Sequence, residues 1–296
     1  MEILTECPAC KTDQFKPFLS CKDNTVSRET FQIVACQNCG FKFTNPRPEE
    51  SKLGDYYKSE KYISHSNSSK GLINSIYQFV RKYTLIKKLQ LVERTNYGKE
   101  KTLLDIGCGT GEFLNICKNA KWKTFGIEPG NEARKYALEN YFLDVKYESA
   151  LKDFPDNHFE IITLWHVLEH VSKLEERILE LKRLLKKDGN LIVAVPNCAS
   201  LDAKIYGQFW AAYDLPRHLY HFTPKDIEFI FSKHEMKVSR ILPMRFDSFY
   251  VSLLSEKYKR GKSNFFLGCW NGFRSNLNAI KSEQEFSSQI YIIRYK

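Results

Sequence analysis

Between Lys101 and Pro196, short apolar runs alternate with segments whose apolar positions recur every three or four residues. TLLDI, KTFGIE, FLDVKY, FEIITLW and NLIVAVP are the runs; EFLNICKNA, EARKYALEN and VLEHVSKLEERILELKRLLKKDG are the segments between them. Strands alternating with helices predict parallel βαβ units, a sheet with both faces covered. In the last segment Val167, Val171, Leu174, Ile178, Leu181 and Leu185 form one stripe and Gly189 is a fitting stop, so one long helix is expected there. Further on, TPKDIEFIFSKH predicts a helix with Thr223 as N-cap and Pro224 at its first position. MKVSRILPM and SQIYIIRYK predict two more strands that complete the sheet.

The flanking regions differ. Residues 1–48 are rich in Cys, Phe and Pro and end in FTNPRPEE, whose prolines favour an extended exit, so a first module is expected to close near Pro48. Residues 49–97 carry the tyrosine-rich DYYKSEKYISHSNSSKG and then a basic stretch in which Ile73, Ile76, Phe79, Val80 and Tyr83 recur at helical spacing. They read as a linker and a helical lid in front of a main domain over residues 98–296. Residues 246–286 are aromatic and basic without a clear period; capping a pocket, touching a membrane and forming a dimer face all stay open.

Composition adds three constraints. At 296 residues, 43% hydrophobic and 14% aromatic, the chain can bury a core nearly throughout. The start MEILTECPACKTDQ lacks a secretory pattern, and no run of about eighteen apolar residues follows, so a cytoplasmic location without a transmembrane segment is expected. The formal charge of +10 points to acidic partners, among them phosphorylated or carboxylated small molecules, nucleotide-linked sugars, anionic lipid surfaces and RNA.

Two chemical signatures stand out. Cys7-x-x-Cys10 and Cys36-x-x-Cys39, the second followed by Gly40, offer four thiolates to a closed tetrahedral zinc in a small ribbon, with FQIVAC as a strand of its hairpin. Two disulfides are the alternative, disfavoured in a reducing compartment. The second signature is LLDIGCGTGEF, residues 103–113. It closes a strand with Asp105, turns through Gly107, Cys108, Gly109 and Gly111, and opens a helix at Phe113. Such a turn lets backbone approach a ligand closely, and the helix start offers unpaired N–H groups.

The dinucleotide fingerprint would place its third glycine where Glu112 stands. An acidic residue followed by G-x-G-x-G instead resembles motif I of the class I S-adenosylmethionine-dependent methyltransferases. Glu128, ending the second strand in FGIEPG, matches the position that takes both ribose hydroxyls. The resemblance covers Lys101 to Asn197 and implies a Rossmann-like, mostly parallel seven-stranded sheet with S-adenosylmethionine as cofactor. It also implies Pro129, Ser149, Ala150, Leu164 and Trp165 as further cofactor neighbours.

WHVLEHV and LPRHLYHF are similar to strings in methyltransferases of the Methyltransf_23 type, whose acceptors are diverse. Both should face the crevice at the carboxyl ends of the strands. Methyl transfer to a hydroxyl needs a base, and His166 or His218 is expected first, then His221. Arg217 would hold an acidic acceptor group and Tyr220 line its pocket, with Tyr57, Tyr62 and His65 in a lid. His170 and His221 equally fit plain structural roles, a bond to a backbone carbonyl and packing beside Phe222. The expected function is methyl transfer to a sugar, lipid-linked or metabolite hydroxyl, or to carbon. An RNA methyltransferase and a non-catalytic cofactor-binding scaffold are the alternatives, the former opposed by LWHV where an Asn/Asp-Pro-Pro-aromatic string would stand.

Overall fold

The computed structural model describes residues 1–57, 72–98, 100–262, 264–282 and 285–296. Its centre is a seven-stranded sheet of β4 (Thr102–Ile106), β5 (Lys123–Ile127), β6 (Val145–Lys146), β7 (Phe159–Trp165), β8 (Leu185–Pro196), β10 (Met236–Pro243) and β11 (Ser288–Tyr295). The order is β10-β11-β8-β7-β4-β5-β6, parallel except that β11 runs antiparallel to both neighbours. Every side chain of β4 is buried, which is why that strand reads as one unbroken apolar run around Asp105. The chain leaves β4 toward β5 on one side and later fills β7 on the other, so the switch point lies between β4 and β7.

The covering helices include α2 (Leu72–Thr95), α3 (Glu112–Asn119), α4 (Asn131–Tyr141), α5 (Leu174–Leu184) and α7 (Pro224–Ser232), preceded in the chain by the short α1 (Glu50–Leu53). Thr223 caps α7 as expected, in a capping box whose Asp226 carboxylate accepts the Thr223 backbone N–H at 2.7 Å. The long helix expected from Val167 to Gly189 is not one element. Residues 168–170 form a 3-10 turn, α5 begins at Leu174, and β8 already starts at Leu185. The stripe is real, with Leu174, Ile178, Leu181 and Leu185 buried, but its last member belongs to a strand.

β1 (Phe15–Lys22), β2 (Thr30–Cys36) and β3 (Lys42–Thr44) form an antiparallel ribbon, and FQIVAC lies in β2 as expected. The fourth strand of this sheet is β9 (Tyr220–His221), far downstream, paired with Lys42 and Phe43. Phe41 and Phe43 share one buried cluster with Leu104, Leu164 and Phe222. The boundary near Pro48 is thus a boundary in sequence across which the core runs on.

After β8 come α6 (Leu201–Tyr206) and, between β10 and β11, α8 (Asp247–Arg260) and α9 (Phe265–Ser282), which fill the segment whose pattern showed no period.

Candidate active site

At the switch point an open cavity of about 220 Å³ is lined by Asp105, Gly107, Cys108, Gly109, Phe113 and Trp165 of the expected set, together with Arg81, Leu85, Lys88, Thr110 and Glu112. Gly107, Gly109 and Gly111 all take positive φ, +71°, +55° and +85°. A Cβ on Gly109 would meet nothing within 4 Å, so the loop presents bare backbone to the cavity.

Asp105 is buried beneath the loop. Burial raises its pKa to about 7, against the hydrogen bond from Thr163 Oγ1 at 2.6 Å and the pull of Lys88. A buried carboxylate with so little compensation is a seat for a cation. Lys88 of α2 reaches into the same cavity, its Nζ 4.2 Å from the centre of the Trp165 ring, and Arg81, two turns earlier on the same helix face, pairs with Glu112 at 2.5 Å. Glu128 stands at the end of β5; its Oε2 accepts the Gly109 N–H at 2.9 Å and its Oε1 the Gly130 N–H at 2.8 Å. The carboxylate therefore already braces the glycine loop.

Pro129 follows Glu128 on the surface, while Ser149 and Ala150 lie in a 3-10 turn, residues 148–153, after β6. Leu164 is wholly buried in the core and does not line the cavity. Of the lining missed at the sequence level, Thr110 and Glu112 lie within the glycine-loop string itself, while Arg81, Leu85 and Lys88 come from α2, where no motif marks them.

Beside Trp165 the backbone of His166 turns to φ +57°, a conformation unusual for a residue with a Cβ. His166 Nε2 lies 3.1 Å from Asp247 Oδ2 at the start of α8, and Nδ1 lies 3.4 Å from the buried Glu169 Oε1. Burial opposes charge on the ring, but the two carboxylates outweigh it and hold its pKa up to about 10. That value lies well above the neutral range in which a free histidine serves as a base.

Below it, Glu169, His170 and His218 bring one ligand-type atom each within 4.8 Å of one another. His170 Nδ1 contacts the Arg217 carbonyl at 3.0 Å and the Tyr57 hydroxyl at 2.8 Å, and burial, with His218 beside it, lowers its pKa to about 4. His218 Nδ1 contacts the Ala212 carbonyl at 2.8 Å. Tyr57 is thus drawn to this cluster; Tyr62 and His65 lie outside the described residues.

Three acceptor-side expectations are corrected. His221 is buried in β9, with Nε2 3.2 Å from Thr44 Oγ1 of the ribbon, and burial pushes its pKa well below the usual histidine value. Arg217 is buried against Asp214 at 2.5 Å and Asp23 at 3.2 Å, and also donates to the Tyr56 carbonyl. The Tyr220 hydroxyl donates to the Ser172 carbonyl at 3.0 Å and accepts from Arg47. All three tie the N-terminal residues, through Thr44, Asp23, Tyr56 and Arg47, to the segment around β9, a long-range task that local sequence does not announce.

In the ribbon, Sγ of Cys7 lies 3.7 Å from that of Cys39, and Sγ of Cys10 lies 3.5 Å from that of Cys36. All four sulfurs fall within 4.8 Å of one another, and all four thiols are free. Disulfide sulfurs would be about 2.05 Å apart. Edges near 3.7 Å match a tetrahedron of sulfurs with metal–sulfur bonds of about 2.3 Å.

Comparison with known proteins agrees with this geometry. A family model described as a methyltransferase domain, Methyltransf_23, matches residues 77–239. A ubiquinone biosynthesis O-methyltransferase of Actinobacillus pleuropneumoniae is 36% identical over 109 residues, 33% of this chain and 46% of that protein. An uncharacterized protein of Methanocaldococcus jannaschii is 32% identical over 111 residues, 38% of this chain and 48% of that protein. The matches span about half the length of these curated relatives. Among solved structures, the magnesium protoporphyrin IX methyltransferase of Synechocystis with bound SAH superposes with a TM-score of 0.54 at 13% identity, over 84% of this chain and all of that one (100%), a likeness of fold. The glycine loop, the sheet order and the family match agree: the chain belongs to the Methyltransf_23 family of class I S-adenosylmethionine-dependent methyltransferases.

Proposed function

We propose that the protein transfers a methyl group from S-adenosylmethionine to a small-molecule acceptor, a sugar, lipid-linked or metabolite hydroxyl or a carbon. The observation that carries this reading is Asp105, a buried carboxylate short of a counter-cation, beneath a loop of bare glycine backbone. A ligand with an ammonium and a sulfonium suits that seat, and a simple nucleotide does not. When bound, the cofactor supplies a methyl group made electrophilic by positive sulfur.

The chain's own residues hold and orient. Asp105 faces the cationic end, and Lys88 with Arg81 takes the carboxylate of the methionine half. Glu128 has lone pairs beyond the two used on Gly109 and Gly130, enough to accept ribose hydroxyls as well. Pro129, Ser149 and Ala150 border the adenine side.

On the acceptor side His166 is the proton acceptor. An entering hydroxyl takes the place of Asp247 at Nε2; as the ring loses that carboxylate neighbour its affinity for a proton falls, the Nε2 proton leaves to solvent through Asp247, and the freed Nε2 lone pair accepts the proton of the hydroxyl. Glu169 stays on Nδ1 and stabilises the imidazolium once the proton has moved, the role a carboxylate plays behind a catalytic histidine. His218 and His170 keep the floor of the cleft in place. Zinc in the four-cysteine site is structural, with no open position.

The test compares S-adenosylmethionine with S-adenosylhomocysteine on Asp105→Asn. Roughly tenfold weaker binding of the sulfonium form, with a smaller loss for the neutral thioether, is the expected result. Equal affinity for both in wild type and variant would remove the basis of the reading.

A further inference from the structure

Helices α8 and α9 pack as an antiparallel hairpin whose sidedness is inverted. The positions of α9 turned inward are Gly268, Asn271, Gly272, Ser275, Asn276 and Ala279, all buried; those turned outward are Phe266, Trp270, Phe273, Leu277 and Ile280. Phe266 is 85% exposed and Trp270 55%. A helix made for water shows the opposite distribution. The inner face is fitted closely: a Cβ on Gly272 would lie 2.9 Å from Phe249 Cα, and one on Gly268 2.8 Å from Leu253 Cδ2. Gly268-x-x-x-Gly272 thus brings two backbones together, as small residues do where lipid covers the outside of a helix pair. Inner polar groups bond within the fold: Ser275 donates to Asp202 at 2.7 Å, Asn271 to the Tyr206 hydroxyl at 2.9 Å and Asn276 to the Arg245 carbonyl at 2.8 Å.

Charge identifies what covers the outer face. Between Arg245 and Ser282 there are seven lysines and arginines against two acidic residues. Of the acids, Asp247 is turned to His166 and Glu256 is buried against Tyr206 and Arg260. Lys257, Lys259, Arg260 and Lys262 crowd the tip of the hairpin, all exposed, and Arg274 and Lys281 flank the aromatic stripe. A second copy of the chain would set these cations against their own kind. No helix among the described residues is long and apolar enough to cross a membrane, so the stripe would lie along a surface and not span it.

We propose that the outer face of the α8–α9 hairpin docks on an anionic lipid bilayer, with Phe266, Trp270 and Phe273 entering the interface and the surrounding lysines and arginines meeting the headgroups. The root of the hairpin stands beside the proposed base: Phe246 packs edge-on against Tyr83 of α2 at 5.8 Å, and Asp247 lies 3.1 Å from His166. Docking therefore sets the acceptor cleft at the membrane. The corollary that a lipid-linked acceptor enters from the bilayer rests on the methyltransferase reading; the docking itself does not.

The experiment is co-sedimentation of the full chain, without cofactor, with vesicles of phosphatidylglycerol and phosphatidylcholine, or of phosphatidylcholine alone. Trp270 emission, taken as the difference from Trp270→Phe, is the second readout, since Trp122 and Trp210 are buried and Trp165 lies in the cofactor cavity, away from the stripe. Binding to the anionic vesicles with a blue shift is expected. It should fall roughly tenfold or more in Phe266→Ser/Trp270→Ser/Phe273→Ser, and with salt or in Lys257→Gln/Lys259→Gln/Arg260→Gln. Retained S-adenosylhomocysteine binding certifies that each variant is folded. No binding to anionic vesicles, equal binding to neutral ones, or a dimer in solution that the serine variant dissociates would overturn the proposal.

Discussion

Nε2 of His166 lies 3.1 Å from Oδ2 of Asp247, so the first residue after β7 and the first residue of α8 share a proton across the mouth of the cleft. This pair ties the state of the proposed base to the position of the hairpin. With burial working against charge and Asp247 and Glu169 working for it, the folded pKa is about 10 against an ordinary 6.5. A raised histidine pKa contributes stability that is fully present below the unfolded value and is lost as pH climbs toward the folded one. Asp247→Asn should lower the His166 pKa, move the acid limb of the pH–rate profile to lower pH, and shrink the stability lost between about pH 6.5 and 10. NMR titration of the ring reads the shift directly, and an unchanged pKa would separate the two residues.

Lys88 is the second handle. If its ammonium serves the carboxylate of the cofactor, Lys88→Met should weaken S-adenosylhomocysteine binding about tenfold, the value of one charge-assisted hydrogen bond. Tighter binding in the variant would mean that Lys88 obstructs the cavity and does not serve it. Isothermal titration distinguishes the two.

Arg217 offers a stability test. Arg217→Ala leaves the buried Asp23 and the half-buried Asp214 without their shared cation; breaking a buried pair costs about 3–5 kcal/mol in other proteins. Denaturant unfolding should show a loss of that order, with S-adenosylhomocysteine affinity of the folded fraction unchanged. A loss of acceptor turnover without loss of stability would return Arg217 to the substrate side.

The cysteine site should be indifferent to mutation of the cofactor loop, and loss of its metal should be felt at β9. Gly109→Arg fills the loop at a positive φ and should abolish cofactor binding while zinc stays at about one per chain. Cys36→Ser should lose the metal and speed amide exchange at Tyr220 and His221, because β9 completes the ribbon sheet. Protection of β9 unchanged in Cys36→Ser would show the seam to be independent of the metal.

What the sequence made legible was whatever depends on neighbours in the chain. Asp105 and its glycines, Glu128, the two Cys-x-x-Cys pairs and Thr223 with Pro224 are each marked by a pattern a few residues long. The misreadings share a cause in long-range contact. Leu185 keeps helical spacing with Leu181, but β7 recruits it into a strand. His221 and Tyr220 sit in a histidine-rich string beside the crevice, yet the two-residue strand they form pairs with Lys42 and Phe43. The aromatic hairpin hid its period because its large side chains lie outside and its small and polar ones inside, the reverse of the pattern that marks a core helix.

The most direct measurement is calorimetric titration of the purified protein with S-adenosylhomocysteine, with NADH as a control, repeated on Glu128→Ala. The account predicts binding of the former alone, with affinity lost when Glu128 no longer braces the loop and takes the ribose. Binding of NADH, or of neither ligand, would contradict it.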